Sequence, residues 1–530
     1  YKAYPRAVRL NKLKDYFDKR IEVLVLVERV KVIDTKKGDR MAFVTGSDET
    51  STIDFTFFPN IYKIYSYVSK GDILKINGRV EKRFDEWQKI KNGEVKIVIG
   101  ARSAIFAPVK NLGIIIIDEE HDSSYYSGST PKYSTKEIAR YICKNSNALL
   151  LLGSATPEVT TFYKAKSGNI SLLTLKNRAG NAKLPSIELI DIKEDRLLGN
   201  TSVLPIKLKE EIFQNIKLGQ QTMIFLNRRG YTSYLTCKDC GKVFKCPNCD
   251  VAMTYHKKSN LLLCHYCSHV EKNITTCYNC GSTNISSGTI GTQKIEEELK
   301  EIYPQISILR MDADTTVSRN AQQDILDKFK KNNVNVLVGT QMISKGHDIS
   351  NVTLVGILGV DNMLAMNDYM ASEKAYSNIS QVAGRAGRGD LCGRVIIPTS
   401  DLNNYILNAV IKGDYTEFYE KEIEYRKMFN YPPFTDIVLF ELSSSNFNIV
   451  KSESERLYNI LNDSLTKYKV FSPKSPFVRR INNKYRINVL VKAKLNKEVY
   501  SQIYEKINIF NKNKNKLLNF VVTKNPTSIS

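Results

Sequence analysis

Apolar residues recur at every second position through much of residues 21–84, in short stretches at 23–27, 55–58 and 73–76. Turn signals such as Lys37-Gly38-Asp39 and Lys70-Gly71-Asp72 separate them. A period of two broken by regular turns predicts half-buried strands closing into a small all-β barrel. After about residue 85 the pattern changes. Residues 97–99, 112–117, 148–152, 223–226, 306–309, 334–338 and 352–357 are near-continuous apolar runs set between helix-like segments. Strands buried on both faces read this way, so most of the chain is predicted to be α/β with parallel strands. The expected domains are a basic leader (1–20), the barrel (21–84), a first α/β lobe (85–180), a second lobe (181–400) carrying an insert at 234–285, and an α+β C-terminal domain (401–530).

No apolar run approaches the roughly 18 residues that span a bilayer, so no membrane partner is expected. With no export segment in view, the expected location is the cytoplasm. The 78 Lys and Arg outnumber 55 Asp and Glu, giving a net charge of +23, and residues 474–530 hold 13 basic against 2 acidic residues. Such an excess points to a polyanionic partner, although the Lys-, Asn- and Ile-rich coding of an AT-rich genome gives the same arithmetic. The barrel fits the OB type, which binds single strands through a basic groove with aromatic platforms. Phe43, Phe55, Phe57 and Phe58 are available for that role, but most are expected to fill the barrel.

Eight of the ten cysteines fall between Cys237 and Cys280 as four C-x-x-C pairs. One tight turn of this spacing offers two thiolates to a tetrahedral zinc, so four pairs supply two structural Zn2+ sites of four thiolates each. A disulfide framework is the alternative, disfavoured in a long chain expected to meet reducing conditions. Five residues between Cys240 and Cys246 are a short span for two pairs folding back on one ion, whereas fourteen separate Cys249 from Cys264. Cys246, Cys249, Cys264 and Cys267 are therefore expected to share one zinc, and Cys237, Cys240, Cys277 and Cys280 the other. Cys143 and Cys392 are expected to be buried thiols.

Chemistry is expected at the carboxyl ends of the predicted parallel strands. One runs into Asp118-Glu119-Glu120-His121, where one carboxylate can hold nucleotide-bound Mg2+ and a second orient water. Another ends in Gly153-Ser154-Ala155-Thr156-Pro157, and a third in a loop running from Gly339 to Asp348. In Gln381-Val382-Ala383-Gly384-Arg385-Ala386-Gly387-Arg388, two arginines three apart are expected on one helical face, positioned to reach a γ-phosphate. The order and spacing of these four segments resemble superfamily two helicases. This makes the fold a pair of RecA-like lobes.

The likeness narrows with residues 98–108, Asp122-Ser123-Ser124-Tyr125, residues 226–231, Gly291-Thr292-Gln293, residues 425–434 and Asn483-Lys484-Tyr485-Arg486. From about Trp87 to the C-terminus the chain resembles the PriA family of replication-restart helicases. That resemblance implies an ATP-dependent 3′ to 5′ DNA helicase with MgATP as substrate, acting on single-stranded and forked DNA. It also implies primosome proteins, the replicative helicase loader and single-strand binding protein as partners. Carried over by motif, Asp118, Glu119, His121, Gln381, Arg385 and Arg388 are catalytic candidates, and Gly346 and Asp348 belong to the nucleotide site. Tyr125, Tyr126, Lys132 and Tyr133 match a loop that couples DNA to ATP hydrolysis; Lys484 and Arg486 are candidate DNA contacts. For Tyr125 and Tyr126, simple packing of the loop is the competing reading.

One departure matters. The phosphate-cradling G-x-x-x-x-G-K-[ST] is missing, the sole Gly-Lys pair being Gly241-Lys242 inside the insert. The first lobe is therefore expected to be truncated. In its place, residues 29–83 resemble the OB domain of a bacterial DNA polymerase III alpha subunit. The chain thus reads as two replication proteins joined near residues 84–87, by fusion or by a join in the gene model. It is expected to bind DNA and to hydrolyse ATP poorly, which leaves an ATPase-deficient zinc-stabilised scaffold as the alternative function.

Overall fold

The computed structural model describes residues 7–529 except 17–19, 35–38, 80–82, 129–131, 176–183, 228–234, 248–251, 257–260, 264–268, 273, 288–291, 313–314, 317–320, 332–333, 341–342, 344–348, 350, 367, 388–390, 466, 477–478 and 482. The chain divides into two compact units, Tyr1–Ile116 with Tyr133–Leu151, and Ile117–Lys132 with Leu152–Ser530.

The first unit begins with an antiparallel sheet in the order β3-β2-β1-β4. Its strands are β1 (Arg20–Asp34), β2 (Arg40–Ser47), β3 (Thr52–Phe57) and β4 (Ile73–Arg79), with helix α1 (Pro59–Ile64) between the last two. β1 is long enough to pair with β4 through its first half and with β2 through its second. Its period of two buries Val23, Val25 and Val27 on one side. Gly46 lies where an added Cβ would stand 2.8 Å from Val25 Cγ2, so no larger residue fits that crossing. Phe57 is buried and Phe55 packs against the same core, whereas Phe43 and Phe58 are exposed and fill nothing.

Helix α2 (Arg83–Asn92) follows, and then residues 97–99, expected to be a strand, form none; Ile97 and Ile99 are 76% and 93% exposed. Among the described residues they have no neighbouring strand to pair with. A single βαβ element comes next: β5 (Ile114–Ile117), helix α3 (Thr135–Ser146) and β6 (Leu149–Leu152). Hydrogen bonds from Leu149 to the Gly113 carbonyl and from Gly153 to the Ile117 carbonyl keep one offset along the pair, which makes it parallel. Ser134 caps α3, and Asn147 ends it in the left-handed conformation. These two strands form a sheet of their own among the described residues, in line with the short first lobe.

The second unit opens with α4 (Val159–Lys166), β7 (Ser186–Asp191), α5 (Ile192–Leu197), α6 (Ile206–Lys217) and β8 (Gln221–Leu226). The cysteine insert adds the short strands β9 (Leu235–Cys237), β10 (Thr254–His256), β11 (Leu261–Leu263), β12 (Val270–Lys272) and β13 (Ile285–Ser287). The lobe resumes with α7 (Thr292–Ile302), β14 (Ile308–Met311), α8 (Ala321–Lys330), β15 (Val336–Gly339) and β16 (Val352–Leu358). It closes with α9 (Val360–Leu364), α10 (Ala371–Ala383) and β17 (Arg394–Thr399). The result is a parallel six-stranded sheet in the order β14-β15-β8-β16-β17-β7, with β8, β15 and β16 buried along their whole lengths. Cys392, expected to be buried, is exposed in the turn before β17.

Helices α11 (Tyr405–Lys412) and α12 (Tyr415–Met428) lead to a βαββαβ domain. It consists of β18 (Asp436–Ser444), α13 (Phe447–Ser464), β19 (Lys469–Lys474), the two-residue β20 (Arg480–Ile481), β21 (Lys484–Ala493), α14 (Lys497–Lys512) and β22 (Asn519–Lys524). Its antiparallel order β19-β21-β18-β22 is that of a ferredoxin-like split βαβ. The core joins Phe440, Leu442, Val489 and Val491 of the sheet to Val450, Leu457 and Phe510 of the helices. Beyond β22 the tail crosses to the lobe: Tyr369 donates to the Pro526 carbonyl at 2.7 Å, Ile529 N to Asp368 Oδ2 at 3.2 Å, and Lys374 to the Thr527 carbonyl.

Candidate functional site

Asp118, Glu119, Glu120 and His121 follow β5 directly, and the four side chains are put to different uses. Asp118 and Glu119 are exposed. Glu119 has a φ of 47°, a left-handed conformation that costs a non-glycine residue about 1–3 kcal/mol and clusters at functional positions. Its amide donates to Asp118 Oδ1 at 2.9 Å. Glu120 is buried and accepts from Glu158 N at 2.6 Å and Thr161 Oγ1 at 3.2 Å. It therefore caps the start of α4, where an acceptor satisfies amides that the helix leaves unpaired.

His121 is the junction. Its Nδ1 lies 2.7 Å from Ser154 Oγ and its Nε2 lies 2.8 Å from Gln381 Nε2. An amide NH2 donates, so Nε2 is the accepting nitrogen and the proton sits on Nδ1, facing the serine. Burial holds the imidazole below its usual pKa, although Glu119, Glu120, Asp122 and Glu158 pull the other way. The Asp-Glu box, the Ser-Ala-Thr loop and the Gln381 segment thus meet on one neutral ring.

A second layer, which the sequence reading missed, lies behind that junction. Thr156 Oγ1 and Ser377 Oγ are 3.1 Å apart, and Tyr415 donates to the Pro157 carbonyl at 2.6 Å. Glu373 accepts from Val159 N at 3.1 Å and from Arg426 Nη2 at 2.5 Å. Arg426, almost wholly buried, also reaches Glu422 at 2.8 Å through Nε and the Pro432 carbonyl at 3.3 Å. Glu422 accepts in turn from Tyr405 at 3.0 Å. Burial pushes Glu373 up to about 7 against the pull of Arg426, while the two carboxylates hold Arg426 firmly in its charged form. The only advance signal was Arg426 inside the matched segment 425–434.

Gln381 lies in the last turn of α10, but the helix ends at Ala383, so Arg385 stands in a turn and not on a shared helical face. Gly384 is the C-cap of α10, and three residues further on Gly387 has a φ of 68°, where a Cβ would stand 2.3 Å from Gly393 N. Arg388, Gly346 and Asp348 lie outside the described residues.

Of the residues matched to DNA binding, Tyr125 is half-buried and donates to the Asp118 carbonyl at 2.8 Å, and Tyr126 lines a cavity of about 340 Å3 together with His121, Met363, Met370 and Gln381. Lys132 and Arg486 converge on Glu441, the arginine at 3.4 Å. Tyr133 belongs to the first unit, where it packs edge-on against Phe106 at 5.2 Å with Arg102 over its ring. Lys484 is exposed at the start of β21.

In the cysteine insert, β9 and β13 pair and bring the outer turns together. Cys237, Cys240, Cys277 and Cys280 place their Sγ atoms within 4.8 Å of one another, the closest pairs at 3.6 and 3.7 Å. Four thiolates about 2.3 Å from a tetrahedral zinc stand about 3.8 Å apart, so these residues fit the ion as they are placed. Cys246 is buried, while Cys249, Cys264 and Cys267 lie outside the described residues.

Residues 246–272 match the family model of the PriA DNA helicase Cys-rich region (CRR) domain, and residues 22–101 that of the OB-fold nucleic acid binding domain. Replication restart protein PriA of Bacillus subtilis (strain 168) is 40% identical over 413 residues, covering 78% of this chain and 51% of that protein. The protein of the same description from Borreliella burgdorferi is 34% identical over 434 residues, covering 82% and 64%. This chain therefore spans between about half and two thirds of the length of these relatives. Among solved structures, RecG bound to a three-way DNA junction overlaps 64% of this chain and 34% of its own at 16% identity, with a TM-score of 0.34. Beyond its OB-fold segment, this chain belongs to the PriA family of replication restart proteins.

Proposed function

We propose that this chain belongs to the machinery of replication restart, as a PriA-like ATP-dependent helicase moving 3′ to 5′ on single-stranded and forked DNA. The observation that supports this best is the placement of His121 between Ser154 and Gln381. A ring that belongs to the acidic loop and is hydrogen-bonded to both the Ser154 loop and the Gln381 segment can pass a change at the nucleotide to the second lobe. In this reading Asp118 holds Mg2+, Glu119 orients the attacking water, and Arg385 and Arg388 reach the γ-phosphate, with Gly346 and Asp348 beside the nucleotide. The OB-fold segment, Tyr125, Tyr126, Lys132, Tyr133, Lys484 and Arg486 contact DNA. Two structural zincs hold the insert. The domains run as the hydrophobic pattern divides them, and primosome proteins, a helicase loader and single-strand binding protein are the protein partners in the cytoplasm.

A second reading is favoured by one observation, the absence of a G-x-x-x-x-G-K-[ST] segment from the sequence. Without those phosphate donors the chain alone binds DNA and turns over ATP slowly, as a zinc-stabilised scaffold. An ATPase assay with and without forked DNA separates the two. DNA-stimulated turnover abolished by Glu119→Gln supports a self-sufficient helicase; DNA binding with no stimulated turnover supports the scaffold.

A further inference from the structure

Helix α10 turns one polar stripe toward the segments that follow β5 and β6. Glu373, Ser377 and Gln381 stand four residues apart, so they share one face over about 12 Å of helix. Each has its own partner: Glu373 accepts from Val159 N at 3.1 Å, Ser377 Oγ meets Thr156 Oγ1 at 3.1 Å, and Gln381 donates to His121 Nε2 at 2.8 Å. Ala375, Tyr376, Ile379 and Val382 of the same helix pack into the core of the lobe. The stripe is therefore not needed to bury the helix. It reads the helix's register instead, because a slide of one residue, about 1.5 Å, strains all three bonds together.

The register is held at the opposite end from His121. Glu373, in the first turn, is bonded to Arg426 of α12, which also holds Glu422 and the Pro432 carbonyl in the linker to β18. Tyr369, two residues before the helix, stacks on Tyr431 of that linker with ring centroids 5.3 Å apart and donates to the Pro526 carbonyl beyond β22. The chain thus enters and leaves the ferredoxin-like domain at the start of α10, and the helix carries that anchorage to Gln381 in its last turn. Replacing a buried ion pair by apolar residues of the same volume is often neutral for stability, and the best-attested use of such a pair is to fix register. Arg426 and Glu373 are both buried. At the far end of the stripe, His121 Nδ1 lies 3.6 Å from Glu119 Oε2.

We propose that Arg426 and Glu373 are positioning residues for His121: they fix the register of α10, and so hold Gln381 against the ring and the ring beside Glu119. The part Glu119 plays in hydrolysis rests on the helicase reading; the register does not. The test reads the His121 tautomer in the full chain by NMR of the imidazole nitrogens at about pH 8.5, where the ring is neutral. In the parent the proton is expected on Nδ1 alone, because Gln381 donates to Nε2. Gln381→Leu supplies the reference for a ring without that donor. Glu373→Ala is expected to lose the single tautomer in the same way, the two nitrogen shifts drawing together, while the other four imidazoles keep theirs. Arg426→Met is expected to do likewise, with unchanged circular dichroism and zinc content marking a folded variant. Should it not fold, Arg426→Lys, which keeps the charge and loses the fork, takes its place. A parent-like tautomer in folded Glu373→Ala or in the folded Arg426 variant overturns the proposal. So does a parent ring already in exchange between tautomers, or a release shared by all the imidazoles. DNA-stimulated ATPase of the same proteins is a separate arm. No turnover in the parent sinks the helicase reading and leaves the register role intact; turnover in the parent with the tautomer held in both variants does the reverse.

Discussion

His121 and Gln381 lie 260 residues apart in the chain and meet ring nitrogen to amide nitrogen at 2.8 Å. That pairing needs a neutral imidazole accepting from the amide. Gln381→Glu replaces the donor with a carboxylate and is expected to raise the His121 pKa by about 1–3 units. NMR titration of the five imidazoles reads this directly. In the unaltered chain burial holds the folded pKa below the usual 6.5, so the unfolded state binds more protons as the solution becomes acidic. The stability His121 contributes is fully present above pH 6.5 and is lost as pH falls from there through the folded value. An unfolding midpoint unchanged from pH 7.5 to 5.5, once corrected with His121→Gln, would contradict this.

Arg426 is charged, buried and shared by Glu373 and Glu422. Arg426→Met leaves two buried carboxylates without a cation and is expected to cost about 3–5 kcal/mol, measured by urea denaturation. Adding Glu373→Gln and Glu422→Gln is expected to restore part of that loss, because the unpaired charge then disappears.

Glu373 has the opposite sign to His121. Its folded pKa, pushed up to about 7, exceeds the ordinary carboxylate value of 4.5, so the folded state binds the extra proton between them. The resulting stability is complete below about pH 4.5 and is lost as pH rises through 7. Glu373→Gln fixes the side chain neutral. The difference in unfolding free energy between variant and parent is expected to shift in favour of the variant from pH 5 to 8.

Two zinc ions per chain are expected by metal analysis, and Cys237→Ser is expected to leave one. The four thiols with Cys237 already stand at zinc spacing, so chelation is expected to loosen β9 and β13 first, seen as faster amide exchange at Thr236 and Ile285. Equal loss of both ions on the single substitution would contradict separate sites.

Lys484 is exposed, whereas Lys132 and Arg486 are both engaged with Glu441. Lys484→Ala is therefore expected to weaken single-strand binding and to reduce the slope of log affinity against log salt by about 0.7. Fluorescence anisotropy at several salt concentrations measures it.

The buried strands β8, β15 and β16 were legible in the sequence because short unbroken apolar runs between helical segments are the mark of parallel strands covered on both faces. β7 and β17 were not foreseen: Glu188 and Asp191 interrupt the apolar pattern of one, and Arg394 opens the other. Residues 97–99 misled for the opposite reason, since an apolar run becomes a strand only where another strand is present to pair with it. The outer cysteine set was legible because ligand spacing along the chain is itself the signal. The layer formed by Glu120, Glu373 and Arg426 was not, because nothing local distinguishes a buried acid that caps a helix from one that coordinates a metal.

The tail beyond β22 gives the molecule a mechanical property. Through Pro526, Thr527 and Ile529 it grips Tyr369, Lys374 and Asp368 beside the first turn of α10. Since β22 is itself hydrogen-bonded to β18, the last strand cannot be drawn away without unzipping the ferredoxin-like sheet. Load applied to that domain is therefore delivered to the helix that carries Gln381, and residues 526–529 act as a tether in place of a hinge.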